Sequence, residues 1–190
     1  MRTGLVRKIL DYYFTTEAFR CETERAFKEF FDLKDISLLA KIKMTDAKSN
    51  HFNEWFLYDF RLRNNKSSLE NFCETDPENW DDEDIKAAKD LLINEYGAYE
   101  VLEIEPGTGL KIQNLQSKNI YDVKEHKATF QLVGGFVLFG RVGRVDDHWE
   151  LIGCDSLMIA TSFTSSAKKL LFGKMDRVTP KTAIEIIDRK

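Results

Sequence analysis

Apolar residues in the first third of the chain recur at helical spacing. Leu5, Val6, Ile9, Leu10, Tyr12 and Tyr13 fall at i, i+3, i+4 and i+7, with Thr3 placed to cap them. Thr16 opens a second helix with Phe19, Thr23, Ala26, Phe27, Phe30 and Phe31 along one side, and Asp35 caps a short third through "ISLLAKIKM". The turn-forming run "TDAKSN" breaks the pattern. After it comes "HFNEWFLYDFRL", residues 51–62, read as a helix. Phe52, Trp55, Phe56 and Asp59 share one stripe of it; Glu54, Tyr58 and Arg61 share another. This spacing puts Asp59 beside the apolar face, with Arg63 at i+4 as its expected partner, and leaves Glu54 and Arg61 to water. Trp55, Phe56 and Phe60 are expected to join this helix to whatever follows it.

Ser67 and Glu70 form an S-x-x-E capping box for a short helix reaching about Cys73. Asp81 caps a longer one, "DEDIKAAKDLLINEYG", whose apolar face is Ile85, Ala88, Leu92 and Tyr96 and which Gly97 terminates. There the period changes from helical to alternating. "AYEVLEIEP", "LKIQNL", "NIYDVKEHK", "GFVLFGRVGRV" and "HWELIGCD" read as five short strands separated by the turns "PGTG", "VGG" and "DD". In the first, Tyr99 and Val101 share a face, with Leu102 and Ile104 opposite. The tail offers a helix around Ser162 to Phe172 and a last one with Thr179 as cap and Pro180 in its first turn. The pattern predicts an α+β protein: a helical region over 1–97, a small antiparallel barrel or curled sheet over 98–155, and a C-terminal helical tail over 156–190 that packs back.

Composition narrows the reading. A chain of 190 residues with 43% hydrophobic residues and 14 Phe has apolar material for a substantial core. No apolar run approaches the roughly 20 residues needed to span a bilayer, and the first residues read as neither a signal peptide nor a myristoylation site. No membrane association is expected. Three widely spaced cysteines, Cys21, Cys73 and Cys154, suit reduced thiols in a cytoplasm. The net charge of −4 is unevenly spread: residues 70–84 hold eight acids and no Lys or Arg, while 161–190 hold seven basic and three acidic residues. Such runs are most simply solvated faces.

Catalytic signatures are sparse. His51, His126 and His148 are isolated, and neither a Cys-x-x-Cys nor a His-x-x-x-His pair occurs, so no metal and no cofactor is expected. The glycines of "VGGFVLFGRVGRV" interrupt a strand pattern, unlike a phosphate-binding loop, and fit a hairpin at Gly134–Gly135 and bends at Gly140 and Gly143. Glu54 and Asp59 are five apart on a helix and make a poor acid–base pair. The most usable surface is Arg141, Arg144 and Trp149 on the strands, with Lys124 and Lys127 near, where cations beside an aromatic ring suit single-stranded nucleic acid. Against this, Trp149 packing inward and the arginines offsetting Asp146, Asp147 and Glu150 accounts for the same residues.

"FNEWFLYDFRL" (52–62), "YEVLEIEPGTGLKIQNL" (99–115) and "YDVKEHKA" followed by "GGFVLFGRV" occur in that order over the central half of the chain. On these stretches the chain resembles a family of uncharacterised bacterial proteins related to SEC-C-motif proteins. The resemblance implies a helical portion joined to a small β barrel and no assigned activity. Beyond Cys154 the chain has no Cys or His, so the zinc ligands of the SEC-C motif are missing and no metal, ribosome or secretion-machinery association carries over. The expectation is a non-enzymatic binding or adaptor protein acting through protein contacts. The alternatives are a nucleic-acid-binding module using the barrel and the basic tail, and an enzyme with a carboxylate-centred cleft.

Overall fold

The structure, a computed structural model, describes residues 4–75, 80–152, 157–159 and 178–183. Five α-helices precede the sheet: α1 (Leu5–Thr15), α2 (Arg20–Phe30), α3 (Asp46–Tyr58), α4 (Ser68–Thr75) and α5 (Asp82–Asp90). Six strands follow: β1 (Asn94–Glu105), β2 (Gly109–Asn114), β3 (Ile120–Lys124), β4 (Val137–Val145), β5 (His148–Leu151) and β6 (Leu157–Ile159). The protein is α+β, with a helical N-terminal part and a small β barrel. No helix among the described residues is long and apolar enough to cross a membrane.

Capping chemistry sets several helix starts as the sequence predicts. Asp35 accepts from the Ser37 N–H at 2.8 Å, opening a 3-10 turn over Ile36–Lys41. Ser67 and Glu70 complete the reciprocal box, at 2.6 Å and 3.1 Å. Asp81 accepts from the Asp84 N–H at 2.7 Å, and Thr179 Oγ1 accepts from the Thr182 N–H at 3.3 Å. Two boundaries differ. "TDAKSN" starts a helix, since Thr45 caps α3 through the Lys48 N–H. Helix α5 stops at Asp90, and Tyr96 and Gly97 lie within β1, which begins at Asn94. Leu92 and Tyr96 continue the helical period of Ile85 and Ala88, but pairing of Asn94 to Glu100 with β4 captures this segment. Cys154 and the helix expected over Ser162 to Phe172 lie outside the described residues.

The barrel closes in the order β1-β2-β3-β5-β4 and back to β1, with β6 added beyond β4. Its β3–β5 pairing is parallel and the others are antiparallel. This is the strand order of OB-type barrels. β1 serves two neighbours, its first half pairing β4 and its second half β2. Tyr99, Val101, Leu110, Ile112, Val123, Leu138 and Val142 fill the interior. Outside, Tyr96, Ala98, Val137 and Phe139 are covered with Leu115, Val178 and Ala183. β4 is therefore buried on both faces.

Helix α3 is central. From His51 to Tyr58 every residue but Asn53 is buried. One side holds Phe52 and Phe56 against the helical layer, where Phe52 stacks on Phe27 at 4.1 Å. The other side meets the barrel at Arg141 of β4. Arg141 and Glu54 are each 1% exposed and Asp59 is 4% exposed. Arg141 Nε donates to Glu54 Oε1 at 3.1 Å, Nη1 to Asn94 Oδ1 at 2.6 Å, and Nη2 to Asp59 Oδ2. The guanidinium lies over Tyr58 at 4.3 Å and Tyr96 at 5.3 Å. Burial alone would lower its pKa, but Asp59 and Glu54 outweigh that and raise it.

Two expectations are corrected here. Asp59 is paired with Arg141 instead of Arg63, which lies 3.6 Å from Glu22. Asp59 ends α3, where its N–H bonds the Trp55 carbonyl, so the chain turns away before Arg63 can stack one turn along. Glu54 faces the barrel instead of water, because α3 is packed on both sides. The join to the barrel is shared: Trp55, Phe56 and Phe60 belong to the apolar cluster that also holds Ile152 and packs Val145 of β4, while Glu54, Tyr58 and Asp59 carry the polar part through Arg141. Arg61 is half-exposed, as expected, and binds Glu70 at 2.5 Å.

Removing one member of a buried ion cluster strands the others. Asp59→Ala is expected to lower the unfolding free energy by about 3–5 kcal/mol. Arg63→Ala should change it by about 0.5 kcal/mol or less. Urea unfolding of the two variants checks this; equal losses would return Arg63 to the role of partner.

Candidate functional site

Alternation along the three strands β1–β2–β3 sends Leu110, Ile112, Tyr121 and Val123 inward and leaves the intervening positions outside. On that outer face the register aligns Glu103, Lys111 and Asp122 in one row and Glu105, Gly109 and Lys124 in the next. Gly109, with no side chain, lets β2 and β3 approach closely; a Cβ there would meet the Val123 carbonyl oxygen at 2.7 Å. The result is an open hollow of about 530 Å³ beside the Gly107–Gly109 turn. Its walls carry three carboxylates and two lysines, and Lys111 Nζ already lies 3.2 Å from Glu103.

The end of the barrel next to this face has another character. Leu102 lies outside by simple alternation with the buried Val101, 39% exposed, and a β-bulge between Val101 and Glu103 then shifts the alternation of β1, so that Glu103 stays out and Ile104 turns inward. Alongside run residues 133–136, held by hydrogen bonds of 2.8 Å from the Gly135 N–H to the Val101 carbonyl and from the Val101 N–H to the Phe136 carbonyl. Gly135 has φ 85° and turns the chain there. Val133 is 58% exposed, and Phe130, on a 3-10 turn (Ala128–Phe130), is 66% exposed. Thr129 of that turn accepts from the Gly107 N–H at 2.8 Å, which sets Phe130 against the β1–β2 loop and His126. Leu102, Phe130 and Val133 thus gather around one end of the barrel.

The surface expected from the sequence is divided. Arg141 lies in the interior, on the opposite side of β4. Arg144 is exposed and stands across from Trp149, its Nε donating to the Asp146 carbonyl at 3.2 Å. Trp149 is half-buried against the barrel core, in a T-shaped contact with Tyr121 at 4.8 Å. Lys124 is exposed beside Glu150 of β5, and Lys127 is exposed just before the 3-10 turn. Lys124, Arg144 and Trp149 are brought to one region and Arg141 is not. The sequence puts Leu102 opposite Tyr99 and Val101, where the structure has it, without marking it as a site; Phe130 and Val133 were missed because they sit in a short turn and the segment after it.

Among the described residues no group of His, Cys, Asp and Glu could hold a metal ion. Glu54 and Asp59 are sealed against Arg141 and line none of the grooves beside β2–β3, beside α5 or along α1. At the β4–β5 turn, where Asp146 has φ 53°, His148 lies between two acids. Its Nε2 is 2.9 Å from Glu150 and its Nδ1 is 3.2 Å from Asp147. The hydrogen bond to Glu150, then that to Asp147, raises the His148 pKa above its ordinary value. Tyr121, buried and bonded to Glu95 at 2.5 Å, is pushed up to about 12. No family model, curated protein or solved structure matches this chain.

The His148 shift fixes the sign of a pH effect. Its contribution to stability is fully present below the unfolded value of about 6.5 and is lost as pH rises through the higher folded value. An NMR titration should place the His148 midpoint above about 6.5. His148→Gln should cost stability at acid pH and converge with the parent protein above that midpoint. A midpoint at or below the ordinary value would contradict the arrangement.

Proposed function

We propose that this chain is a non-enzymatic binding protein that docks a protein partner, in the cytoplasm, on the loop end of its barrel. The observation that carries this reading is that Leu102, Phe130 and Val133, all large and exposed, lie on neighbouring segments at the loop end of the barrel. Scattered exposed apolar residues need no explanation, but a group of them marks an interaction surface. Each such side chain contributes about 1.5–3 kcal/mol when fully withdrawn from water. The neighbouring hollow supplies carboxylates and lysines suited to a polar rim.

The OB-type strand order favours a second reading, single-stranded nucleic acid on the outer β1–β2–β3 face. That support is analogy of fold. The face has more carboxylates than lysines and no aromatic platform, and the basic tail falls mostly outside the described residues. A carboxylate-centred enzyme is less favoured still, because Glu54 and Asp59 are occupied by Arg141.

The test pairs the parent protein with Phe130→Asp/Val133→Asp, both immobilised and exposed to nuclease-treated extract of the source cells. A partner held by the parent should then be purified and bind the double variant at least about tenfold more weakly, with the melting midpoint unchanged. Equal binding by both proteins overturns the proposed surface. A labelled single strand whose binding falls steeply with salt, and further with Lys124→Ala/Lys127→Ala, would establish the second reading instead.

A further inference from the structure

The two sides of β1 are not equally occupied along its length. From Asn94 to Glu100 one side is taken by β4, and at Val101 by the hydrogen bonds with Gly135 and Phe136. Beyond that point Glu103, Ile104 and Glu105 pair with Lys111, Leu110 and Gly109 of β2 alone. Backbone N–H and C=O groups of an antiparallel strand point alternately to its two sides. The side away from β2 therefore presents groups that no strand among the described residues answers. Such an edge is a template for a further strand. Leu102 lies on it, 39% exposed, and residues 133–136 stand at its start with Val133 58% exposed.

Charge decides what that strand is. From Glu100 to Glu105 β1 carries three glutamates and no Lys or Arg, and residues 131–136 carry no charge. Lys111 lies 3.2 Å from Glu103, whereas Glu105 stands across from Gly109, which has no side chain to offer. A second copy added edge to edge would set these glutamates against their own counterparts, and like charges facing across a ladder are destabilising. A strand carrying Lys or Arg meets the opposite. We infer that the partner docks by strand addition: an extended segment of another protein, basic at alternate positions and apolar between them, pairs with β1 from Leu102 to Glu105. Its basic side chains stand beside Glu103 and Glu105 on the outer face, and its apolar ones turn the other way, toward Ile104. This inference rests on the docking surface proposed above and names what that surface receives.

A short peptide alternating valine and lysine serves as the probe. A valine–glutamate peptide and a backbone N-methylated valine–lysine peptide are the comparisons, each titrated into the whole chain and followed by amide NMR and hydrogen exchange. The valine–lysine peptide should shift and protect amides of residues 102–105 saturably, and N-methylation, which removes its backbone donors, should abolish this. Glu103→Lys/Glu105→Lys should invert the preference, favouring the valine–glutamate peptide by about three- to tenfold. Glu105→Gln, which should weaken the valine–lysine peptide, serves if the double variant fails to fold. Equal binding of the N-methylated peptide, no response at residues 102–105, or an unchanged preference in the charge variants overturns strand addition. Protection of this edge that grows with protein concentration in the absence of peptide places a second copy there and overturns it too. None of these outcomes depends on the extract experiment with Phe130→Asp/Val133→Asp, so a failed strand addition is told apart from a failed docking surface, which would remove this inference with it.

Discussion

The Arg141 guanidinium is the interaction on which the architecture depends. A charge buried to this extent is tolerated only when every side of it is answered, and here Glu54, Asp59 and Asn94 answer its nitrogens while Tyr58 and Tyr96 cover its faces. Two of these partners belong to the barrel strand β1, and three belong to α3 or its end. The cluster therefore specifies a relative placement that apolar packing alone would leave free to slide. Such a clamp adds little net stability over a well-packed apolar contact, and its value lies in registry.

Fixing α3 against β4 has consequences on both sides. Toward the helices, α3 presents Phe52 and Phe56 to α1 and α2, which builds an aromatic cluster with Phe14 and Phe27. Toward the sheet, it meets β4 at Arg141, while the outer residues Val137 and Phe139 pack with Leu115, Val178 and Ala183. The residues exposed at the loop end are set by local backbone geometry. A single bulge in β1 turns Ile104 inward beyond the outward-facing Leu102, and a short 3-10 turn carries Phe130 over the β1–β2 loop.

Polar and apolar surfaces are consequently segregated. The outer strand face pairs carboxylates with lysines across the register, and His148 is held between Asp147 and Glu150 at the β4–β5 turn. Neither arrangement leaves a free nucleophile or an acid–base pair.

Read alone, the sequence determines the elements and their order. Short-range signals suffice for this: caps such as Asp35, Ser67 and Asp81 act within three residues, and the change from period 3.6 to period 2 separates the helical part from the five barrel strands. The fold class was legible for that reason, as was the need of Asp59 for a cationic partner. The partner itself was not, because Arg141 lies 82 positions away and nothing local distinguishes it from Arg144, three residues on. Tertiary structure also decided that Tyr96 joins a strand, that Glu54 is buried, and that Ile104 turns inward with Tyr99 and Val101. In each case a long-range pairing or a bulge overrode a local period, and free energies of that kind reside in contacts between segments the sequence keeps apart.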